Sequence, residues 1–278
     1  MSDIKFLIIK ILVFLRAPSE TKPVAYGTFH FIWAIILALF LIIVIYNRKK
    51  HSEKKLKTIL LIFSITSILF EIVKQLVVGF NIEPLIGVFY WSYNWSSFPF
   101  QFCSVPMYIC LICAFLKKGK VRDFLLSYMV FFSIWGSIGT LVFPASFSYI
   151  PLVNYHTMYL HCGSLLISVY LIATKEIKNN FNNVLSGYIV FLFLVLIAQL
   201  LNIAVYNFGL LENSLNSPFM NLFAISPYYV VQYSAFLFFY NHLPYYAYIL
   251  FYLLLLFMGG CLVYYTVCYL EKKSIKKQ

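Results

Sequence analysis

Three histidines, a glutamate, a lysine and six cysteines lie within apolar stretches of this chain, where ionisable side chains are costly and each is a candidate for function. His30 comes early in the first stretch. Glu71 and Lys74 come late in the second, Gln101 and Cys103 open the third, His156 and His161 open the fifth, and Gln199 and Asn202 close the sixth. A thiol with imidazoles and a carboxylate is the equipment of nucleophilic acyl transfer. The thiolate attacks an acyl carbonyl, an imidazole takes the thiol proton, and a carboxylate or amide orients the imidazole. In that chemistry Cys103 is the expected nucleophile and His161 the base, with Glu71, His30 and Asn202 as orienters or oxyanion partners. Gln101, His156 and Gln199 are the expected substrate-binding groups.

Each of these has a plainer reading. A lone membrane cysteine is often a small apolar filler. Glu71 and Lys74, three apart on one helix face, form a neutralised structural pair equally well. His156, nearer the boundary than His161, suits an interface position. Cys110-x-x-Cys113 has no histidine nearby and makes a poor metal site, so neither a metal nor a cofactor is expected. Gly136-x-x-Gly139 reads as a close helix-packing point. His51 and His242 fall in loops and carry no signal.

The elements that must position these groups follow from composition. Of 278 residues, 62% are apolar, 20% aromatic and 11% charged, against roughly 25% charged in soluble domains. So few charges cannot cover such a core, which excludes an ordinary soluble enzyme, a disordered chain and a disulfide-rich secreted domain. The net charge of +12 is grouped in short clusters between apolar runs. That pattern orients a membrane protein and argues against nucleic-acid binding. Seven stretches are long enough to cross, at about 25–46, 56–79, 98–116, 121–143, 155–173, 183–205 and 243–270. Each must be helical, because backbone groups in hydrocarbon are bonded only within the segment. The expected fold is an all-α polytopic membrane protein of about seven transmembrane helices. Residues Ile4–Arg16 fall short of the roughly 20 residues a span needs and read as an interfacial amphipathic helix. The chain divides into this N-terminal segment (1–23), a transmembrane domain (24–270) and a basic tail (271–278).

Loop charge gives the orientation. Lys and Arg crowd the first, third and fifth loops and the tail, while 80–97, 144–154 and 206–242 carry none. The basic loops and the C-terminus are therefore expected in the cytoplasm of a cell-membrane protein. The long sixth loop, 206–242, reads as a re-entrant or in-plane segment. In this frame Cys103, His161, Glu71, His30 and Asn202 share a slab in the outer half of the bilayer, about 5–12 Å from the span ends at 1.5 Å per residue.

Phe98-Pro99-Phe100-Gln101-Phe102-Cys103 resembles the Pro-Leu-(His/Gln)-x-Cys element of the transmembrane protein 164 family and its bacterial YwaF-like relatives. Phe29-His30, Phe70-Glu71, Trp135-Gly136, Tyr159-Leu160-His161-Cys162-Gly163 and Leu201-Asn202 follow the family's order of elements. The resemblance implies a membrane acyltransferase that moves a fatty acyl group to or between membrane lipids through an acyl-cysteine at Cys103, with His161 as its partner. Ser104 stands where many bacterial members have Asp after the Cys. Membrane lipids are the expected partners. The competing reading is a small-solute transporter or channel that uses the same polar cluster as its binding site.

Overall fold

Long apolar runs with few charges set the long helices. The computed structural model describes residues 3–83, 88–142, 147–211, 219–232 and 234–275. Helix α1 (Asp3–Arg16) precedes α2 (Thr28–Tyr46), which contains no charged residue. Helix α3 (Glu53–Gly79) starts where Ser52 accepts a hydrogen bond from the Lys55 amide, which satisfies one of the orphan donors of the first turn. A short helix α4 (Val105–Phe115) packs chiefly on α3. Helices α5 (Lys120–Tyr128) and α6 (Ile134–Val142) are joined by a π turn at Met129–Ser133. Then come α7 (Pro151–Ala173), α8 (Phe181–Asn207, capped by Asn180), α9 (Ser234–His242) and α10 (Tyr245–Ile275).

Among the described residues, six helical stretches are long and apolar enough to cross a membrane: Thr28–Lys50, Glu53–Gly79, Lys120–Val142, Pro151–Ala173, Phe181–Asn207 and Tyr245–Lys273. The protein is an all-α polytopic membrane protein. The third expected span differs. Its apolar run begins at Phe98, but the helix starts only at Val105 and has 11 residues, a rise of about 16 Å against a hydrocarbon core of about 30 Å. Pro106 stands in the first turn of α4, a position its ring favours, whereas a proline deeper in a helix would break it. The residues from Phe98 to Ser104 are therefore irregular, and Cys103 stands in a turn and not within a helix, so a depth counted at 1.5 Å per residue does not apply to it.

Irregular backbone at membrane depth persists only where protein groups satisfy it. Here the Ser97 carbonyl accepts from Lys74 Nζ (3.4 Å) and from Gln75 Nε2, the Pro99 carbonyl from Tyr108 Oη (2.8 Å), and the Ser96 carbonyl from Gln101 Nε2 (3.3 Å). The π turn is treated likewise. Its wider ring disturbs the regular ladder, and Ser168 Oγ on α7 donates to the Met129 carbonyl at 2.7 Å.

The two ends of the bundle are built differently. At the basic end the buried Arg122 guanidinium pairs with Glu53 and, at 2.5 Å, with Glu176. Glu176 also takes Lys118 at 3.1 Å and His51 at 3.0 Å, and the other His51 ring nitrogen bonds Tyr170 Oη at 2.9 Å. His51, which gave no sequence signal, thus belongs to a network joining all three basic loops. At the opposite end, β1 (Phe80–Glu83) and β2 (Val88–Trp91) form an antiparallel hairpin that the sequence reading did not include. Arg16, at the end of α1, donates to the carbonyls of Val77 and Val78 (3.1 Å each) and to Asn81 Oδ1 (2.7 Å). These are last-turn carbonyls of α3, which a helix cannot satisfy internally.

The sixth loop is inserted into the bundle. Met220, Leu222–Ser226 and Val231 are all buried. Phe223 and Ala224 hold consecutive positive φ values of 57° and 60°, a conformation that costs non-glycine residues about 1–3 kcal/mol each and lasts only where the surroundings enforce it. The enforcement is visible. Asn202 grips Leu222 with its side-chain amide, donating to the carbonyl (3.2 Å) and accepting from the N–H (2.9 Å). Tyr248 donates to the Ala224 carbonyl (2.9 Å) and Tyr245 to the Ile225 carbonyl (2.7 Å).

Candidate functional site

The inward face of α3 carries Ser64, Ser67, Glu71 and Lys74, all buried. Spacings of three and four keep such residues on one face. The Glu71 carboxylate is the hub. Its Oε1 accepts from Lys74 Nζ at 2.7 Å and from Gln75 Nε2 at 2.6 Å. Its Oε2 lies 2.8 Å from His156 Nε2 on α7, off the N–H direction, so this contact is electrostatic and both atoms lack a directed hydrogen bond. The His156 ring stacks on Phe70, with centroids 5.9 Å apart. His156 is therefore an interior partner of Glu71, not the interface residue that its position near the boundary predicted.

Cys103 stands in the turn just before α4, partly buried, and its thiol is within electrostatic reach of both Lys74 and Glu71. Its neighbour Phe102 lies against Gly136 of α6 so closely that a Cβ there would approach the ring to 2.7 Å. Gly136 is a packing point, as expected. Gly139 has open space around it and is not.

His161 on α7 is buried. Its Nε2 lies 3.2 Å from Thr140 Oγ1. Thr140 of α6 thus holds His161, while Gly136, four residues earlier on the same helix, seats the residue next to the thiol. Tyr93, in the segment leading to the break, faces the same carboxylate. Burial first, and then the Glu71 charge, push its phenol up to about 12, so it stays a neutral group at any physiological pH.

The remaining candidates lie elsewhere. His30 caps α2, its Nδ1 accepting from the Tyr26 amide at 3.2 Å, and it packs on Phe147. Asn202 has its amide committed to Leu222, and Gln199 bonds Tyr245 Oη at 2.9 Å, so both serve the inserted loop. Gln101 braces the irregular segment through Ser96. The structure thus brings Glu71 and His156 together with Cys103 within electrostatic reach, ties His161 to α6 through Thr140, one turn from the Gly136 that seats Phe102, and commits His30, Asn202 and Gln199 to other partners. Sequence reasoning missed Gln75 and the part played by Lys74. The Glu71–Lys74 spacing was visible, but the Ser97 carbonyl that both Lys74 and Gln75 reach comes from a break hidden inside an apolar run.

A polytopic helical membrane protein with a buried acid–base cluster at a broken span is the class this fold and site define. The model of the TMEM164 family matches residues 25–264, and the chain belongs to that family. No curated protein and no solved structure matches the chain.

Proposed function

We propose that this protein is a membrane acyltransferase that moves a fatty acyl group to or between membrane lipids through a thioester on Cys103. In the first step the Cys103 sulfur attacks the acyl carbonyl of a lipid ester. The C–S bond forms, the ester C–O bond breaks, and the thiol proton passes through His161 to the departing lipid alkoxide. In the second step the hydroxyl of an acceptor lipid attacks the thioester. Its proton returns to the sulfur, and a new ester leaves. Lys74 and the N-terminal end of α4 supply positive potential where a thiolate, and then a tetrahedral oxyanion, carry negative charge. Glu71 holds Lys74 and His156 in register for that task.

The observation that carries this reading is the break itself. A cysteine at the start of a half-length helix, beside a buried Glu–Lys–His cluster and inside a bilayer-spanning bundle, is poorly explained as filler. Membrane lipids are the natural substrates for such a site, reached from within the bilayer. The cell membrane, with the basic loops and C-terminus cytoplasmic, is the setting we assign on loop charge.

The test uses purified protein in vesicles holding a phospholipid with a labelled acyl chain and a lysophospholipid acceptor. Wild type transfers label to the acceptor and carries a hydroxylamine-sensitive label itself, and Cys103→Ala loses both. Undiminished transfer in Cys103→Ala overturns the proposal. A broken helix is also how many transporters build a binding site, so solute flux is the second reading. It is favoured if flux through the vesicles survives Cys103→Ala and fails in Glu71→Gln.

A further inference from the structure

The inserted loop places one side chain where the proposed reaction has no use for protein. Phe223 projects from the left-handed turn between Phe102, whose ring centre is 5.5 Å away and nearly perpendicular, Phe100 at 6.0 Å and Phe191 at 6.4 Å. Phe102 is next to Cys103 in the chain, and Phe191 also contacts Phe102, Phe132 and Tyr252. The slot is thus aromatic, and one of its walls, Phe102, is the residue before the cysteine. Its occupant is held there against local backbone preference, by side chains of α8 and α10. Strained non-glycine turns that persist because their surroundings force them are typical of segments that move in function.

We infer that the slot filled by Phe223 is a hydrocarbon-chain site, and that the loop 219–232 is its resident plug, withdrawn when a fatty acyl chain enters beside Cys103. This deepens the acyl-transfer reading and rests on it for its purpose, though its test does not. An unbranched acyl chain suits the slot because aromatic walls give it dispersion contact and no hydrogen-bonding group of the chain needs a partner. The clamp is divided so that it can open. Asn202, Tyr245 and Tyr248 hold only backbone groups of Leu222, Ala224 and Ile225, and water or lipid headgroups can replace those bonds once the turn has left the slot.

The experiment reads the labelling rate of Cys103 by a lipophilic maleimide, with the full chain in phosphatidylcholine vesicles and the labelled peptide quantified by mass spectrometry. Cys261 and Cys268 serve as internal references for the fold. Phe223→Ala empties the slot and is expected to raise the Cys103 rate about tenfold, as local opening becomes easier. Oleate is expected to bring that rate back down by filling the vacated space. Asn202→Ala, which frees the loop without touching the slot wall, is expected to raise the rate as well, and it carries the test if Phe223→Ala alters the reference cysteines. Ala224→Gly relieves the strained turn while keeping the plug, and is expected to leave the rate at or below wild type. An unchanged rate in both Phe223→Ala and Asn202→Ala overturns the plug, and a raised rate without oleate protection overturns the hydrocarbon site. None of these readouts needs acyl transfer. If Cys103→Ala leaves exchange intact while the labelling pattern holds, the reaction falls and the slot stands.

Discussion

Glu71, Lys74 and His156 pose the problem of buried charge in its sharpest form. A paired carboxylate and ammonium inside a bilayer gain little net stability over apolar residues of the same size, but removing one partner strands the other, at about 3–5 kcal/mol. Lys74→Met alone and Glu71→Gln alone are therefore each expected to lower stability by that amount in detergent denaturation. The double variant is expected to recover most of the loss, since no uncompensated charge remains. Function separates from structure in the same series: a stable double variant that still lacks acyl exchange marks the pair as part of the chemistry, and one that retains it marks the pair as scaffold. His161→Ala is expected to cut exchange by about 10²–10⁴, the range for a lost general base. His161→Ala protein that still forms the hydroxylamine-sensitive adduct at the wild-type rate would remove His161 from the reaction. Residue type alone made Cys103, His161 and Glu71 legible, because few ionisable groups interrupt this much apolar sequence. The places of His30, Asn202 and Gln199 were not legible. Depth along a span says nothing about which face a side chain takes: His30 turns back to the backbone just before its own helix, and Asn202 and Gln199 turn to backbone or hydroxyl partners of other elements.

Among the elements, α4 decides most. The run from Phe98 to Leu116 is uncharged and, apart from Gln101 and Ser104, largely apolar, so hydropathy reads one span, and only Pro99 and Pro106 hint that the first seven residues are not helical. Hydropathy reports where the backbone lies in the bilayer, not whether its hydrogen bonds close within the segment. The partners that close them here come from α3, from Gln101 and from Tyr108, one turn into α4. Tyr108→Phe keeps the ring and removes the Pro99 carbonyl's partner (2.8 Å). It is expected to cost about 1–3 kcal/mol, the desolvation penalty of an unmade bond. The loss is expected to appear as faster hydrogen exchange at amides 100–104, with those of α8 unaffected. Faster exchange throughout the bundle would instead assign Tyr108 a general packing role. The sixth loop was legible as an unusual segment from its length and tyrosines. Its burial was not, because Phe223 and Ala224 adopt a turn that neither residue favours locally.

At the scale of the molecule, the two ends divide stability from access. The Arg122–Glu53–Glu176 network, with His51 and Lys118, locks three loops at the basic end, while the opposite end carries the hairpin and the Arg16 tether. A bundle stapled at one end can open at the other without losing its register, which is what the proposed lipid entry at Cys103 requires. The proposed orientation also assigns a leaflet. If the basic loops are retained on the cytoplasmic side during insertion, as loop charge argues, the hairpin end faces outward and the proposed lipid substrates approach Cys103 from the outer half of the bilayer. Tyr149, exposed at the hairpin end, and Lys54, exposed at the basic end, report this directly when each is replaced by cysteine. In intact cells a membrane-impermeant maleimide is expected to label Tyr149→Cys and to reach Lys54→Cys only after the membrane is made permeable. The reverse pattern would turn the bundle over, give the site to the cytoplasmic leaflet, and require the acyl donor and acceptor to be sought among the lipids of that face.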